Sequence, residues 1–167
     1  MVLRFKSENN SFEKIHQETY GKVGVIRGLP GQYLAVDPTG RAFMISSPSQ
    51  PFSPVGAFEK QNLVYVLNRD SKNNVTISSP LEAHKSQTIV LATEGLDVGY
   101  DNPIFACLEL NYAEADEDPT GEAAAHAEKF LTYYQLDLGL NHVIRKWSEA
   151  TERSANLITR GGSERWT

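Results

Sequence analysis

Cysteine is almost missing from this chain. Cys107 is the single one in 167 residues, so no disulfide can close within the chain and no thiolate cage can hold a metal. It lies in the apolar run IFACLEL, where a thiol behaves as a small hydrophobe. Basic charge is short too. Sixteen Lys and Arg against 21 Asp and Glu leave a formal net charge of -5, which argues against a general electrostatic grip on nucleic-acid phosphates. No apolar run approaches the ~20 residues that cross a bilayer as a helix. The start, MVLRFKSENNSFEK, lacks the charged-then-apolar order of a secretory leader. A reducing intracellular compartment and no membrane partner are expected.

Catalytic signatures are equally scarce. His16, His84, His126 and His142 form no H-x-x-x-H pair, and none has a cysteine or carboxylate at ligand spacing that rises above chance. There is no G-x-S-x-G elbow and no dinucleotide fingerprint. Gly21-Lys22-Val23-Gly24 invites a phosphate-loop reading, but no GK[ST] follows it; it reads as a turn-rich connection. Trp147 and Trp166 do not form a base-stacking platform with basic residues around them, since Lys and Arg are scattered apart from Arg145-Lys146. The expectation is a protein that is not an enzyme, with no cofactor, no metal and no small-molecule substrate.

What is present is β-pattern. Hydrophobic residues make up 40% of the chain and aromatics 10%, enough for one domain with a sizeable core. Asp37-Pro38-Thr39-Gly40 carries the residue preferences of a type I turn, predicting a hairpin between residues 32–37 and 41–46. Residues 63–68 (LVYVLN) are apolar on both faces, as in an interior strand. Strands are also expected at 2–5, 12–16, 75–78, 88–96, 104–112 and 156–159. Residues 130–137 and 141–147 predict another hairpin, with Gly139 supplying the positive φ of the reversal. Roughly ten short strands and at most one short helix, near 122–129, make an all-β fold: a sandwich, a barrel or propeller blades. Period alone does not choose.

Two stretches stand outside this rhythm and are the candidate partner-contact sites. Pro48, Pro51 and Pro54 recur every third residue, which favours polyproline II and bars a sheet interior. The stretch reads as an exposed loop, or as a ligand for an SH3-like domain, and Ser47 and Ser53 each precede a proline, so phosphorylation is an option. Glu114, Asp116, Glu117 and Asp118 make the second stretch. It lacks EF-hand spacing, with Pro119 where a ligand is wanted, and reads as a solvated loop. EAAAHAEK at 122–129 has strong helix propensity but little length.

Longer strings are more specific than any of these motifs. NNSFEKIHQETYGK, PGQYLAVDPTGRAFMIS, NLVYVLNRD, VTISSPLEAHK, LDVGYDNPIFACLEL, DPTGEAA and YYQLDLGLNHVIRKWSE closely resemble the splicing factor 3b subunit 3 family of propeller scaffolds. Its wider relatives include the damaged-DNA-binding adaptor of cullin ubiquitin ligases and the large subunit of the cleavage and polyadenylation factor. The resemblance implies a nuclear, non-enzymatic scaffold of the SF3b complex, in the snRNP that recognises the branch site. Its partners would be other SF3b-type splicing subunits, with RNA reached indirectly through the complex. It implies a partial β-propeller of about two to three blades over residues 1–159, belonging to the first of three propellers. A Pro/Ser-rich insertion near 47–57 and a divergent tail at 160–167 depart from the family pattern. Those departures and the short length are those of a truncated product, of a retained-intron or altered-frame gene product, or of a decayed paralogue, and an incomplete ring with uncovered blade faces is expected to be poorly stable in isolation. An adaptor role in ubiquitin ligation and a non-functional truncated product are the alternatives.

Overall fold

Alternating apolar residues make hairpins where a turn residue allows reversal, and two such hairpins in sequence make a meander. The computed structural model describes residues 2–17, 34–46, 62–72, 74–83, 88–96, 99 and 101–159. The glycine-rich run 21–31 and the tail 160–167 lie outside them. Strands β1 (Val2–Lys6) and β2 (Ser11–His16) pair as an antiparallel hairpin, with Phe5 opposite Phe12. Next come β3 (Leu34–Val36), β4 (Ala42–Ser46) and β5 (Asn62–Arg69), paired in that order. The free edge of β5 is shared by β6 (Val75–Ile77) and β7 (Leu81–Glu82). Pro80 separates the two, and a proline cannot donate to a ladder, so one edge position is filled by two short pieces.

A second meander follows. Strands β8 (Thr88–Gly95), β9 (Ile104–Asn111), β10 (Lys129–Asp137) and β11 (His142–Thr151) pair antiparallel, each with the next. The β9–β10 connection contains two single turns of helix, α1 (Ala113–Glu117) and α2 (Glu122–His126). Among the described residues no helix is long and apolar enough to cross a membrane.

The core is the seam between the two meanders. Ala35, Ala42, Met44, Val64 and Val66 of the first sheet meet Val90, Phe105, Cys107, Tyr134, Leu136 and Val143 of the second. At its centre Thr93 Oγ1 and Cys107 Sγ each lie 3.6 Å from Met44 Sδ. Burying side chains of this size contributes about 1.5–3 kcal/mol each. The outward faces are apolar as well: Leu34, Val36, Phe43, Ile45 and Leu63 on the first sheet, Leu131, Tyr133, Ile144 and Trp147 on the second. A two-sheet sandwich turns polar residues outward. Sheets that are apolar on both faces are instead consecutive blades of a partial β-propeller.

Three local features differ from the sequence reading. The positive φ of the β10–β11 turn belongs to Asn141 (φ 49°), not to Gly139. Asp137 Oδ1 accepts from the amides of Gly139 and Leu140 at 2.9 and 3.0 Å, which carries the reversal past Leu140 to an asparagine that tolerates the left-handed region. The acidic run expected as loop holds the helical turn α1, whose Ala113 amide donates to Asn111 Oδ1 at 3.0 Å. Residues 156–159, expected as a strand, are not one; Lys129 Nζ instead donates to the Ala155 carbonyl at 2.6 Å, and Leu157 is exposed.

Where β3 and β8 run side by side the backbones almost touch. A Cβ on Gly95 would fall 2.4 Å from the Val36 carbonyl oxygen, whereas one on Gly99 would meet nothing within 4 Å. Gly95→Ala is therefore expected to destabilise the chain by about 1–3 kcal/mol through overpacking. Gly99→Ala should leave it unchanged, as chemical denaturation of both variants will check.

Candidate interaction surface

Because successive strands run antiparallel and the two sheets stack in the same direction, their connections gather at two ends. The β3–β4 turn, the β8–β9 connection and the β10–β11 turn share one end. The β4–β5 and β9–β10 connections leave from the other. The acidic stretch singled out by sequence belongs to the β9–β10 connection.

At the first end an ion pair between a buried aspartate and a partly exposed arginine ties the sheets. Asp37 is 3% exposed, and Arg41 reaches both of its oxygens: Nε to Oδ2 at 2.9 Å and Nη2 to Oδ1 at 2.9 Å. The Thr39 hydroxyl and the Arg41 amide also donate to Oδ2, at 2.6 and 3.0 Å. Arg41 Nη1 then crosses to the Asp101 carbonyl at 2.8 Å, and Asn102 Oδ1 accepts from the Leu138 amide at 3.1 Å. Three loops are so joined in one hydrogen-bonded clasp. Burial alone would raise the Asp37 carboxyl, but the Arg41 and Thr39 hydrogen bonds and the guanidinium charge outweigh it and hold it at about 2. Arg41 was not apparent as a site residue in the sequence; an aspartate and an arginine flanking a four-residue turn were the available signal.

At the opposite end Asp118 is a capping residue. Its carboxylate accepts from the Ala123 amide at 2.8 Å and from the Thr120 amide and hydroxyl at 2.8 and 2.6 Å. These bonds, led by that of Ala123, lower its pKa, and they hold α2 against α1. Glu114 and Glu117 are exposed on α1. Asp116 is on the same helix, with its side chain outside the description. Pro48, Pro51 and Pro54 lie outside the described residues; the strands flanking them end at Ser46 and begin again at Asn62. Among the described residues no three His, Cys, Asp or Glu side chains converge to hold a metal.

Within the sheets the ionisable groups are enclosed. Tyr134 donates to Glu109 Oε1 at 2.6 Å, both residues being buried. Burial, then the charge of Glu109, pushes the Tyr134 hydroxyl far up. Burial pushes the Cys107 thiol up to about 12, so it carries no reactive thiolate at neutral pH. By contrast, the outward face of the second sheet presents a stacked Tyr133–Trp147 pair, centroids 4.4 Å apart, with Trp147 half exposed. This arrangement offers surfaces and a rigid frame for contact.

Comparison with known proteins follows the same line. Residues 1–159 match the family model described as the RSE1/DDB1/CPSF1 first beta-propeller. Spliceosome-associated protein 130 A of Arabidopsis thaliana is 58% identical over 158 residues, covering 95% of this chain and 12% of that protein. Splicing factor 3B subunit 3 of Danio rerio is 57% identical over 166 residues, covering 98% of this chain and 13% of that protein. Pre-mRNA-splicing factor RSE1 of Mycosarcoma maydis is 54% identical over 158 residues, with 95% and 12% covered. The chain thus spans only 12–13% of the length of these curated relatives.

Two outcomes are expected from the two ends. Asp37 has its pKa lowered in the fold, so its stabilisation is complete above its ordinary value near 3.8 and is lost as pH falls from there through about 2. The displacement corresponds to about 2 kcal/mol. Acid titration of stability should show this loss in the parent chain and not in an Asp37→Asn variant. At the other end, Asp118→Ala should speed amide hydrogen exchange across residues 119–126 while leaving the strands protected, as measured by exchange mass spectrometry.

Proposed function

The chain belongs to the RSE1/DDB1/CPSF1 first beta-propeller family, and from that premise we propose that it acts as a non-enzymatic scaffold segment in pre-mRNA splicing. The observation that carries this reading is the 58% and 57% identity to a spliceosome-associated protein and a splicing factor 3B subunit across nearly the whole chain. The geometry agrees with it. Ionisable groups inside the seam are buried and paired, while apolar sheet faces and tied loops are turned outward.

The mechanism is shape. Two rigid blades present loops to neighbours, as conserved scaffolds place binding residues on loops held by a stiff frame. The proposed setting is the nucleus, within an SF3b-type complex, with other splicing subunits as direct partners and RNA engaged through them. The domain reading is a propeller segment over residues 1–159 with an insertion near 47–57 and a divergent tail at 160–167. Glu114 and Glu117 are the proposed contact residues at the acidic end, beside Asp116. Asp118 serves there as the cap that fixes the loop. Pro48, Pro51 and Pro54 are proposed as a second contact.

An adaptor role in ubiquitin ligation is the competing reading, since the family spans both kinds of protein. Immunoprecipitation of the endogenous protein from nuclear extract, read by mass spectrometry, separates the two. SF3b-type subunits are expected in the precipitate. Cullin-ligase subunits without them would overturn the splicing role, and so would the absence of both.

A further inference from the structure

The Asp37–Arg41 clasp closes one end of the seam. The other end holds polar side chains that the clasp does not reach. Ser46 is the last residue of β4 and Asn62 the first of β5, and the two are cross-strand partners. Partners in an antiparallel pair project from the same face, here the face of Met44 and Val64, which is the seam. Ser46 is 2% exposed and Asn62 1%. Among the described residues, Ser46 Oγ and Asn62 Oδ1 are the buried side-chain atoms that have no hydrogen-bond partner. An unpaired buried polar atom is costly, and folded proteins almost always supply it with a partner.

Glu109 faces this pair from the second sheet. Strands β4 and β9 both run from the clasp end to the acidic end, and Met44 Sδ meets Cys107 Sγ at 3.6 Å between them. Two residues further along each strand, on the same faces, stand Ser46 and Glu109. Glu109 is 1% exposed. Its Oε1 accepts from the Tyr134 hydroxyl at 2.6 Å, which leaves Oε2 for a further donor.

The chemistry of these three atoms selects what satisfies them. Asn62 Oδ1 and Glu109 Oε2 each need a hydrogen, and the Ser46 hydroxyl needs an acceptor. A direct bond from Ser46 to Asn62 would leave Glu109 Oε2 without one. A hard cation takes about six to eight oxygen ligands, more than stand here. Water has two hydrogens to give and lone pairs to accept with, and internal waters typically make about three hydrogen bonds to such groups.

We propose that one internal water molecule sits at this end of the seam, donating to Asn62 Oδ1 and Glu109 Oε2 and accepting from the Ser46 hydroxyl. It ties the first sheet to the second where the β4–β5 connection leaves and returns, as Arg41 ties them at the opposite end. The inference rests on the seam and not on the splicing role, so the outcome of the immunoprecipitation does not bear on it.

Oxygen-17 magnetic relaxation dispersion on the purified 167-residue chain counts long-lived internal waters and tests the site. Asn62→Leu and Glu109→Met keep the bulk of each side chain and remove its oxygens. Each is expected to lower the dispersion amplitude of the parent chain by one water. Met44→Leu, which alters the same seam without touching the three polar groups, should keep that water. Circular dichroism identifies any variant that has lost its sheets, and Ser46→Val, whose added methyl group takes the place of the water, then replaces it. A parent chain without a long-lived water overturns the proposal, as does an amplitude that Asn62→Leu leaves unchanged. An amplitude that Glu109→Met leaves unchanged overturns the tie across the seam. Loss of the water in Met44→Leu as well would overturn its assignment to these three residues.

Discussion

The fold depends on the packing of the five-stranded first sheet against the four-stranded second across the seam centred on Met44, Thr93 and Cys107. The first and second strands of the two sheets lie side by side there, with sulfur and hydroxyl atoms 3.5 to 3.6 Å apart. Neither sheet has another way to bury these residues. The near-contact of Gly95 with the Val36 backbone sets how closely the inner strands approach, and small and medium side chains fill the seam between them. Interiors packed at crystal-like density tolerate little change in volume, so the seam behaves as one rigid unit.

The polar clasp at the end of the seam works with this packing. A carboxylate as buried as Asp37 is costly unless its charge is paired and its oxygens are hydrogen-bonded. Arg41 and Thr39 satisfy both conditions, and Arg41 carries the tie onward to the Asp101 carbonyl in the neighbouring sheet. The loops at that end are consequently preorganised. Loops held in this way can be recognised by a partner without much ordering cost at the moment of contact. That property suits a scaffold.

Much of the fold was legible in the residues. Alternation, continuous apolar runs and aromatic or β-branched composition between turn residues located the strands β1 to β6 and β8 to β11, and Asp37-Pro38-Thr39-Gly40 located its hairpin, because those signals are local and strong. Nonlocal features were not legible. The two-residue strand β7 is too short for any periodicity, and β11 runs on to Thr151 because β10 supplies a paired edge that the polar residues 148–151 do not announce. Asn141 took the positive φ because the Asp137 side chain shaped the turn first. At the candidate site, the acidic residues were visible as a run, but only the structure separates the cap Asp118 from the exposed Glu114 and Glu117. Period alone left sandwich, barrel and propeller open; the resemblance carried by the long strings pointed to a propeller, and the apolar outward faces of the assembled sheets agree with it.

The central claim is that the two sheets are energetically one body, coupled through the seam. A double-mutant cycle between Met44 and Cys107, using Met44→Ala and Cys107→Ala with unfolding free energies from chemical denaturation, measures that coupling. Residues in contact are expected to couple by about 0.5–3 kcal/mol, so the double variant should depart from the sum of the two single variants by an amount in that range. Additive losses would contradict the account, because they would mean that the two sheets unfold without sensing each other.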